Sequence, residues 1–268
     1  MTRNGIATGD WISVHRRQSA HMNWSDEGIV LSARKHGESA AIVTLLTRLN
    51  GRHSGLVHGG SGSRARGLYQ TGNLVSVDWR ARLSEHLGTF TCELLRPHAA
   101  GLLNERLPLM ALISAAALVE KLLPEREPHP ETFDRFCAQI ESLGDGPDWI
   151  ARYVHWELTL LTDLGYGLDL SECAATATTE NLIYVSPRTG CAVSAAAGEP
   201  YRDKLLKLPE FLDGSASTTD IADIQDGLRL TGHFLARCAK DADAGDLPPS
   251  RAQFVDRLRR DATISGNS

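Results

Sequence analysis

The sequence predicts an α+β protein in which a small five-stranded β-barrel precedes a helical domain. The first observation is that apolar and polar residues alternate with a period of two between Asp26 and Leu95, as they do in half-buried strands. The second is that apolar residues take up helical spacing beyond Pro97. We therefore predict a disordered extension at 1–22, a barrel at 23–97 and a helical domain at 98–268, which includes an irregular segment at 168–201.

Five short apolar runs separated by turn residues are typical of a small barrel. The predicted strands are Gly28–His36, Ala40–Thr47, Arg52–His58, Leu74–Leu83 and Gly88–Leu95. Asn50-Gly51 marks a tight turn, and the glycine-rich segment 59–67 is predicted to be a loop. In the fourth strand, alternation places Val75, Val77, Trp79, Ala81 and Leu83 toward the core, and Ser76, Asp78, Arg80 and Arg82 toward solvent.

The helical domain is predicted to begin with a nearly all-apolar helix, as expected of the central helix of a bundle. Its first three predicted helices are Leu102–Leu123, Glu131–Leu143 and Asp148–Leu164. Two later helices are each preceded by a candidate capping box, Ser217 with Asp220 and Ser250 with Gln253. We expect these helices to end near Cys238 and Arg260, and we expect a short strand at Ile183–Val185.

Charge is distributed unevenly along the 268 residues, whose net charge is −5. Residues 23–97 carry nine Lys/Arg and six Asp/Glu, whereas residues 98–268 carry 16 Lys/Arg and 26 Asp/Glu. A mildly basic barrel on an acidic helical domain indicates separate roles for the two regions. Charge alone leaves open the alternative that so small an excess arose by chance.

Cysteine usage and hydropathy favour a cytoplasmic protein. Five cysteines form an odd set without close spacing, which is typical of a reducing compartment. Residues 1–22 contain no apolar run of the secretory type, and we take Met22 as the natural start. The most apolar stretch, Leu107–Leu123, is interrupted by Glu120 and Lys121, so it is interpreted as a buried helix and not as a membrane span.

The sequence lacks the short motifs of the common enzyme classes. It contains no phosphate-binding loop, no nucleophile elbow and no H-E-x-x-H. His155 and Glu157 form an H-x-E that no P-C-x-x-C follows, which argues against a zinc deaminase. Cys173 and Cys191 lie 18 residues apart, but neither belongs to a C-x2-C pair. We therefore predict no catalytic residue, no metal site and no cofactor.

Basic residues are spread over the predicted barrel, where a phosphate backbone could be bound by charge alone. The candidate DNA-binding residues are Arg34, Lys35, Arg52, His53, Arg64, Arg66, Arg80 and Arg82, with Tyr69 as a stacking surface for bases. Trp79 is assigned to the core because it falls on the apolar side of its strand. The alternative is an ordinary solvated barrel surface, since charged residues on a strand face are usually exposed to solvent without binding a ligand.

Four long segments carry a pattern that is spread over the chain and is not a short motif. They are MNWSDEGIVLSARKHGESAAIVTLLTRLNGRHSGLVHGG (Met22–Gly60), GNLVSVDWRARLSEHLGTFTCELL (Gly72–Leu95), LPEREPHPETFDRF (Leu123–Phe136) and YVHWELTLLTDLGYGLDLSECAATATTENLIYVSPRTGCAVS (Tyr153–Ser194). These segments resemble the RecO family, in the style of its α-proteobacterial branch. The resemblance covers nearly everything from Met22 to about Leu212.

The resemblance implies an N-terminal OB-fold barrel, an all-helical domain and a small zinc-ribbon-like insert. It also implies a cytoplasmic, nucleoid-associated recombination mediator of DNA repair that binds single- and double-stranded DNA and anneals complementary strands. Such a mediator binds the acidic C-terminal tail of SSB and, with RecR, promotes replacement of SSB by RecA at gaps. Neither catalysis nor membrane attachment is implied.

The chain departs from the family pattern at the insert, where Thr176 and Ser194 stand in two positions that some members fill with zinc-binding cysteines. The acidic helical domain also needs a local basic pocket to bind an acidic tail, and Arg135 and Arg152 are the candidates. Two other functions remain open from the residues alone. These are a general OB-fold RNA-binding protein and a protein-interaction scaffold whose barrel binds no nucleic acid.

Overall fold

A computed structural model describes residues 22–213 and 220–265. It shows a mixed α+β protein with a five-stranded N-terminal sheet followed by a helical region, as predicted. The predicted extension lies outside the described residues, apart from Met22, which is the first residue of the first strand. No helix in the described ranges is long and apolar enough to cross a membrane.

The N-terminal sheet closes on itself in the order β1-β2-β3-β5-β4. Its strands are β1 (Met22–His36), β2 (Ala40–Thr47), β3 (Gly51–Val57), β4 (Leu74–Ala81) and β5 (Thr89–Arg96). Neighbouring strands are antiparallel except β3 and β5, which run parallel and meet where Leu56 pairs with Thr89. The first half of β1 pairs with β4 and its second half with β2, so one long strand joins both sides of the barrel.

Two apolar layers follow from the alternation along these strands. Inward-facing Val30, Val43, Val75 and Trp79 fill the barrel core. Leu31 and other side chains of the outer surface of β1 and β2 belong instead to the core of the helical region. A bulge in β1 between Val30 and Ser32 shifts the register at the point where the strand leaves β4.

Three details of the barrel correct the prediction. The segment 59–67 is not only a loop, because α1 (Ser63–Leu68) forms there and packs Ala65 and Leu68 against the barrel core. β4 ends at Ala81, so Leu83 lies beyond the strand and is exposed instead of buried. β1 begins six residues before the predicted Gly28, because those residues pair with β4.

The helical region contains one central helix surrounded by others, as its apolar sequence predicted. The helices are α2 (His98–Leu102), α3 (Arg106–Leu122), α4 (Pro130–Glu141), α5 (Trp149–Asp163), α6 (Ala195–Gly198), α7 (Glu210–Asp213), α8 (Ile221–Asp241) and α9 (Pro249–Ser265), with a 3₁₀ helix at Glu199–Lys204. α3 contacts β1 of the barrel and also α8 and α9, so it is buried on several sides. The predicted first helix, Leu102–Leu123, corresponds to α3, which begins four residues later than predicted, while Leu102 is the last residue of the short α2.

Both predicted capping boxes differ from the structure. Asp220 is itself the N-cap of α8, and its carboxylate accepts the backbone N–H of Asp223 at 2.8 Å. Ser217 lies outside the described residues. Ser250 is the second residue of α9, and its hydroxyl is buried without a hydrogen-bond partner, so that capping box was wrong.

A buried ion pair fastens α9 to the rest of the helical region. The Arg251 guanidinium donates to both carboxylate oxygens of Glu157 at 2.8 Å. Glu157 is fully buried on α5, and Thr231 of α8 also donates to it. The H-x-E of the sequence is therefore half of a structural ion pair that joins three helices.

The segment 168–201 is more regular than predicted. It contributes β6 (Leu182–Val185) and β7 (Ala192–Ser194), which form a three-stranded sheet with β8 (Leu206–Lys207) in the order β7-β6-β8. The predicted strand at Ile183–Val185 is confirmed within β6. Sequence patterns this short cannot reveal β7 and β8, because their pairing is set by contacts between strands.

The barrel and the helical region are joined by the connection between α3 and α4. The Arg52 side chain donates to the Leu123 carbonyl at 2.8 Å, and the Arg126 amide donates to the Arg52 carbonyl at 2.9 Å. Gly51 approaches so closely that a Cβ there would lie 2.0 Å from the Glu127 carbonyl oxygen. Only glycine fits at this position, where φ is +67° as well.

Candidate nucleic-acid interface

A row of directly paired residues crosses the outer wall of the barrel. Arg34 pairs with Ile42, Ile42 with Leu56, Leu56 with Thr89, and Thr89 with Arg80. With strands roughly 4.8 Å apart, the four steps span about 19 Å along the curved wall. Both arginines are exposed and the three residues between them are partly exposed. The row therefore places a positive charge at each end of three uncharged residues.

Six of the predicted DNA-binding residues share one property. All six are exposed and form no salt bridge within residues 22–213 and 220–265. They are Arg34, Lys35, Arg64, Arg66, Arg80 and Arg82. An unpaired surface cation keeps its whole charge available to a phosphate, whereas a paired one must first give up its carboxylate.

A cavity of about 390 Å³ opens between the β1–β2 hairpin and α1. It brings together Lys35 and Arg66, which the sequence places 31 residues apart, with Gln70 beside them. Ala33 and Ala41 supply apolar parts of the wall. Arg34 lines the cavity as well. Three unpaired cations and an amide around a small cavity suit a phosphate group and its sugar.

A second, open groove of about 350 Å³ lies at the other end of the row, where β4 leads into β5. Arg80, Arg82 and His86 line it together with Gly88 and Thr89. The segment between these strands is held in place from two sides. The Trp79 indole N–H donates to the Leu87 carbonyl at 3.0 Å, and Gly88 has a φ of +66°.

Arg126 holds the same segment from the helical region. Its guanidinium donates to three successive carbonyls, those of Ser84, Glu85 and His86, the last at 3.0 Å. Its own backbone is in the left-handed region, with a φ of +61°. Sequence reasoning missed Arg126 because it lies 40 residues from the segment that it holds and in another predicted domain.

Arg52 differs from the six unpaired cations. Its side chain is bound to the Leu123 carbonyl at 2.8 Å and to the Glu125 carboxylate at 3.1 Å. These contacts fasten the barrel to the helical region. We therefore remove Arg52 from the candidate phosphate contacts.

His53 lies inside the barrel, and Tyr69 is largely buried at the wall of the cavity that Arg34, Lys35 and Arg66 line. His53 is 4% exposed among Trp24, Trp79 and Phe90, and neither ring nitrogen has a hydrogen-bond partner. Burial, together with the nearby Arg126 charge, lowers the pKa of His53 to about 4. Burial beside Cys92 raises the pKa of Tyr69, whose ring belongs to the barrel core. Neither residue presents the exposed surface that the sequence suggested.

The two candidate partner-binding residues do meet in one groove. Arg135 and Arg152 line an open groove of about 490 Å³ between α4 and α5, together with His155, Trp156 and Thr159. Arg135 is paired with Glu131 at 2.8 Å and also with Asp163. The Arg152 guanidinium donates to the carbonyls of residues 142 and 145. Much of the groove's positive charge is therefore already engaged.

The insert does not offer a zinc site. Cys173 is buried, and its sulfur accepts the Ser194 backbone N–H at 3.3 Å. Hydrogen bonds from Ser194 and from Thr176 lower the pKa of the Cys173 thiol to about 6. Thus the two positions that would supply further thiolates hydrogen-bond to the cysteine instead. Across the described part of the chain, no three His, Cys, Asp or Glu side chains are grouped to hold a metal ion.

Fold and charge together define a class: a closed five-stranded barrel with an unpaired cationic wall, fastened to a helical region. The particular family follows from sequence profiles. The profile described as "Recombination protein O N terminal" matches residues 22–98, and the one described as "Recombination protein O C terminal" matches residues 104–240. The chain belongs to the RecO family.

Curated relatives match over nearly their whole lengths. A protein named DNA repair protein RecO from Rhodospirillum centenum is 53% identical over 91% of this chain and 98% of its own. Proteins of the same name from Rhodopseudomonas palustris (strain BisB18) and Rhodospirillum rubrum are 53% and 47% identical, each over 89% of this chain and at least 95% of their own. The predicted membership, with its α-proteobacterial style, is confirmed.

Proposed function

We propose that this protein acts in DNA repair as a recombination mediator, by binding single- and double-stranded DNA on the outer wall of its barrel and annealing complementary strands. The observation that carries the proposal is the set of six exposed, unpaired cations on one small barrel. Family membership supplies the repair context, since the curated relatives are named DNA repair proteins.

The physical basis is counterion release. Each Lys or Arg that neutralises a phosphate frees a condensed cation, and this favours binding whatever the base sequence. The strand order β1-β2-β3-β5-β4 suits an OB-type barrel, a fold that binds oligonucleotides across its sheet and connecting loops. The row from Arg34 to Arg80 supplies such a surface, with a phosphate site at each end. Residues 23–97 would then form the DNA-binding domain and residues 98–268 the partner-binding domain.

We assign the acidic C-terminal tail of SSB to the groove lined by Arg135 and Arg152. A carboxylate of the tail would compete with Asp163 and Glu131 for Arg135, while Trp156 supplies apolar contact. With RecR, the protein would then promote replacement of SSB by RecA at gaps, in the cytoplasm and at the nucleoid. No catalytic step is part of this role.

The test is fluorescence anisotropy with a labelled oligo-dT over a salt series. We expect binding that weakens steeply with salt, and a shallower dependence for Arg80→Ala/Arg82→Ala, because two fewer counterions are released. The matched control is Arg188→Ala/Lys240→Ala, which removes the same charge from exposed residues of the helical region. We expect the control to retain the wild-type slope.

Two results would contradict the proposal. Absence of binding to oligo-dT at low salt would remove DNA as the ligand and leave a protein-interaction scaffold. A clear preference for structured RNA over single-stranded DNA would favour an RNA-binding barrel instead.

A further inference from the structure

The most exposed of the barrel's Phe, Tyr and Trp rings is Trp24, which lies near the Arg80 end of the cationic row. Trp24, on β1, pairs with Trp79 on β4, and the next pair along these strands is Asn23 with Arg80. The segment that Arg126 holds begins just beyond Arg80. Trp24 therefore lies at the end of the barrel where β4 carries Arg80 and leads on to Arg82. Because neighbouring residues of a strand face opposite sides, the Trp24 ring lies on the inner side of this rim with Trp79, and Arg80 lies on the outer side.

The orientation of the Trp24 ring is fixed by other aromatic side chains. Its ring stacks on Trp79 with centroids 5.6 Å apart and planes 17° from parallel. His53 meets it edge-on at 5.2 Å, and Phe90 does so at 6.2 Å. Trp79 is held in turn by its hydrogen bond to the Leu87 carbonyl. A ring held in this way loses little conformational freedom when a ligand binds.

Trp24 differs from the other tryptophans that the structure describes. Trp79, Trp149 and Trp156 are 1%, 9% and 6% exposed, whereas Trp24 remains partly exposed. Among the described residues, no acceptor is paired with its indole N–H. A tryptophan that only packs against the core would be more completely buried, and its indole N–H would be hydrogen-bonded or shielded from solvent.

We infer that Trp24 is a nucleobase-stacking residue, on which a base of a bound single strand lies while its phosphates are held by Arg80 and Arg82. This inference rests on the proposed DNA binding and names the base contact within it. Trp24 takes the role that the sequence suggested for Tyr69, whose ring is buried. Stacking on an indole accepts any base, as binding without base readout requires.

The test compares Trp24→Leu, which keeps an apolar side chain over the barrel core, with Trp24→Phe, which keeps an aromatic ring. We expect Trp24→Leu to bind oligo-dT about 5- to 150-fold more weakly, the range that corresponds to loss of one stacked base. Trp24→Phe should lose less. The salt slope should stay at the wild-type value for both, because an uncharged contact releases no counterion.

An oligomer of abasic sites carries the phosphates without the bases. Wild type and Trp24→Leu should bind this oligomer equally.

A second readout, tryptophan fluorescence, uses only replacements of one aromatic ring by another. Trp11→Phe first removes the emission of Trp11. In this background oligo-dT should quench the remaining tryptophan emission, and adding Trp24→Phe should abolish that quenching.

The outcomes separate the two proposals. If wild type binds oligo-dT but Trp24→Leu binds it equally well, or the quenching persists without Trp24, the stacking role is overturned while DNA binding stands. If wild type itself does not bind, the proposed function fails first. Should Trp24→Leu fail to fold, Trp24→Phe and the quenching experiment decide the matter alone.

Discussion

At the scale of single residues, the local surroundings decide which ionisable groups are available to a ligand. Arg52 and Arg80 are both arginines on barrel strands, yet Arg52 is bound to Leu123 and Glu125 while Arg80 is exposed and unpaired. His53 was predicted as a DNA contact from its position beside Arg52, but it points into the barrel. Alternation along β3 gives the physical reason, since neighbouring residues of a strand face opposite sides.

The buried His53 makes the barrel sensitive to acid. In the folded protein the pKa of His53 is lowered to about 4, from 6.5 in the unfolded chain. Between these values the unfolded chain binds more protons, so stability is full above pH 6.5 and is lost as the pH falls toward 4. Protonation of His53 alone should make the free energy of unfolding, measured in urea, about 2 kcal/mol lower at pH 5 than at pH 7.

His53→Gln is the matched variant, because it keeps a polar side chain of similar length that does not titrate. Its stability should depend less on pH over the same interval. Equal pH dependence in wild type and His53→Gln would show that other groups are responsible for the loss.

At the scale of elements, the sequence predicted strands and long helices well and short elements poorly. The second strand was placed correctly at Ala40–Thr47, since a short apolar run with β-branched residues between turn residues is typical of a buried strand. α1 was missed because its sequence, SRARGL, lacks a helical apolar pattern and the helix forms where Ala65 and Leu68 meet the barrel core. The α8 cap was misplaced by one turn because Ser217 and Asp220 both resemble N-caps.

The segment between β4 and β5 should depend on Arg126 for its order. Replacing Arg126 with Ala removes the donor to three backbone carbonyls, so amides of residues 84–88 should exchange with deuterium faster. The α3 and α8 amides should keep their wild-type exchange. Arg188→Ala, an exposed arginine of the helical region, serves as the control. Unchanged exchange at 84–88 in Arg126→Ala would show that Trp79 and Gly88 hold the segment without it.

At the scale of the whole molecule, the barrel and helical region share a core. Ile29, Leu31 and Leu46 are barrel residues that lie in the same apolar cluster as α3 and α4 side chains such as Phe133. Ser32 also donates to Glu120 of α3 at 2.7 Å. The two regions are thus fastened both by apolar packing and by the Arg52 and Arg126 contacts.

Shared packing predicts that the two regions unfold together. In urea, circular dichroism at 222 nm follows mainly the helices. The part of the near-ultraviolet dichroism that Trp24→Phe removes comes from the barrel, so its loss in wild type follows the unfolding of the barrel. The two transitions should have the same midpoint, as expected of one cooperative unit. A barrel transition that clearly precedes the helical one would show that the interface adds little to stability.

By itself the sequence determined the α+β class, the positions of the barrel strands, the main helices and the family, because alternation, helical spacing and long matching segments are all properties of neighbouring residues. Only the tertiary structure decided which cations are free. The partners that neutralise Arg52 and Arg251 lie 73 and 94 residues away in the chain. It likewise decided that Tyr69 is buried and Trp24 partly exposed, since the exposure of a ring depends on every element packed around it.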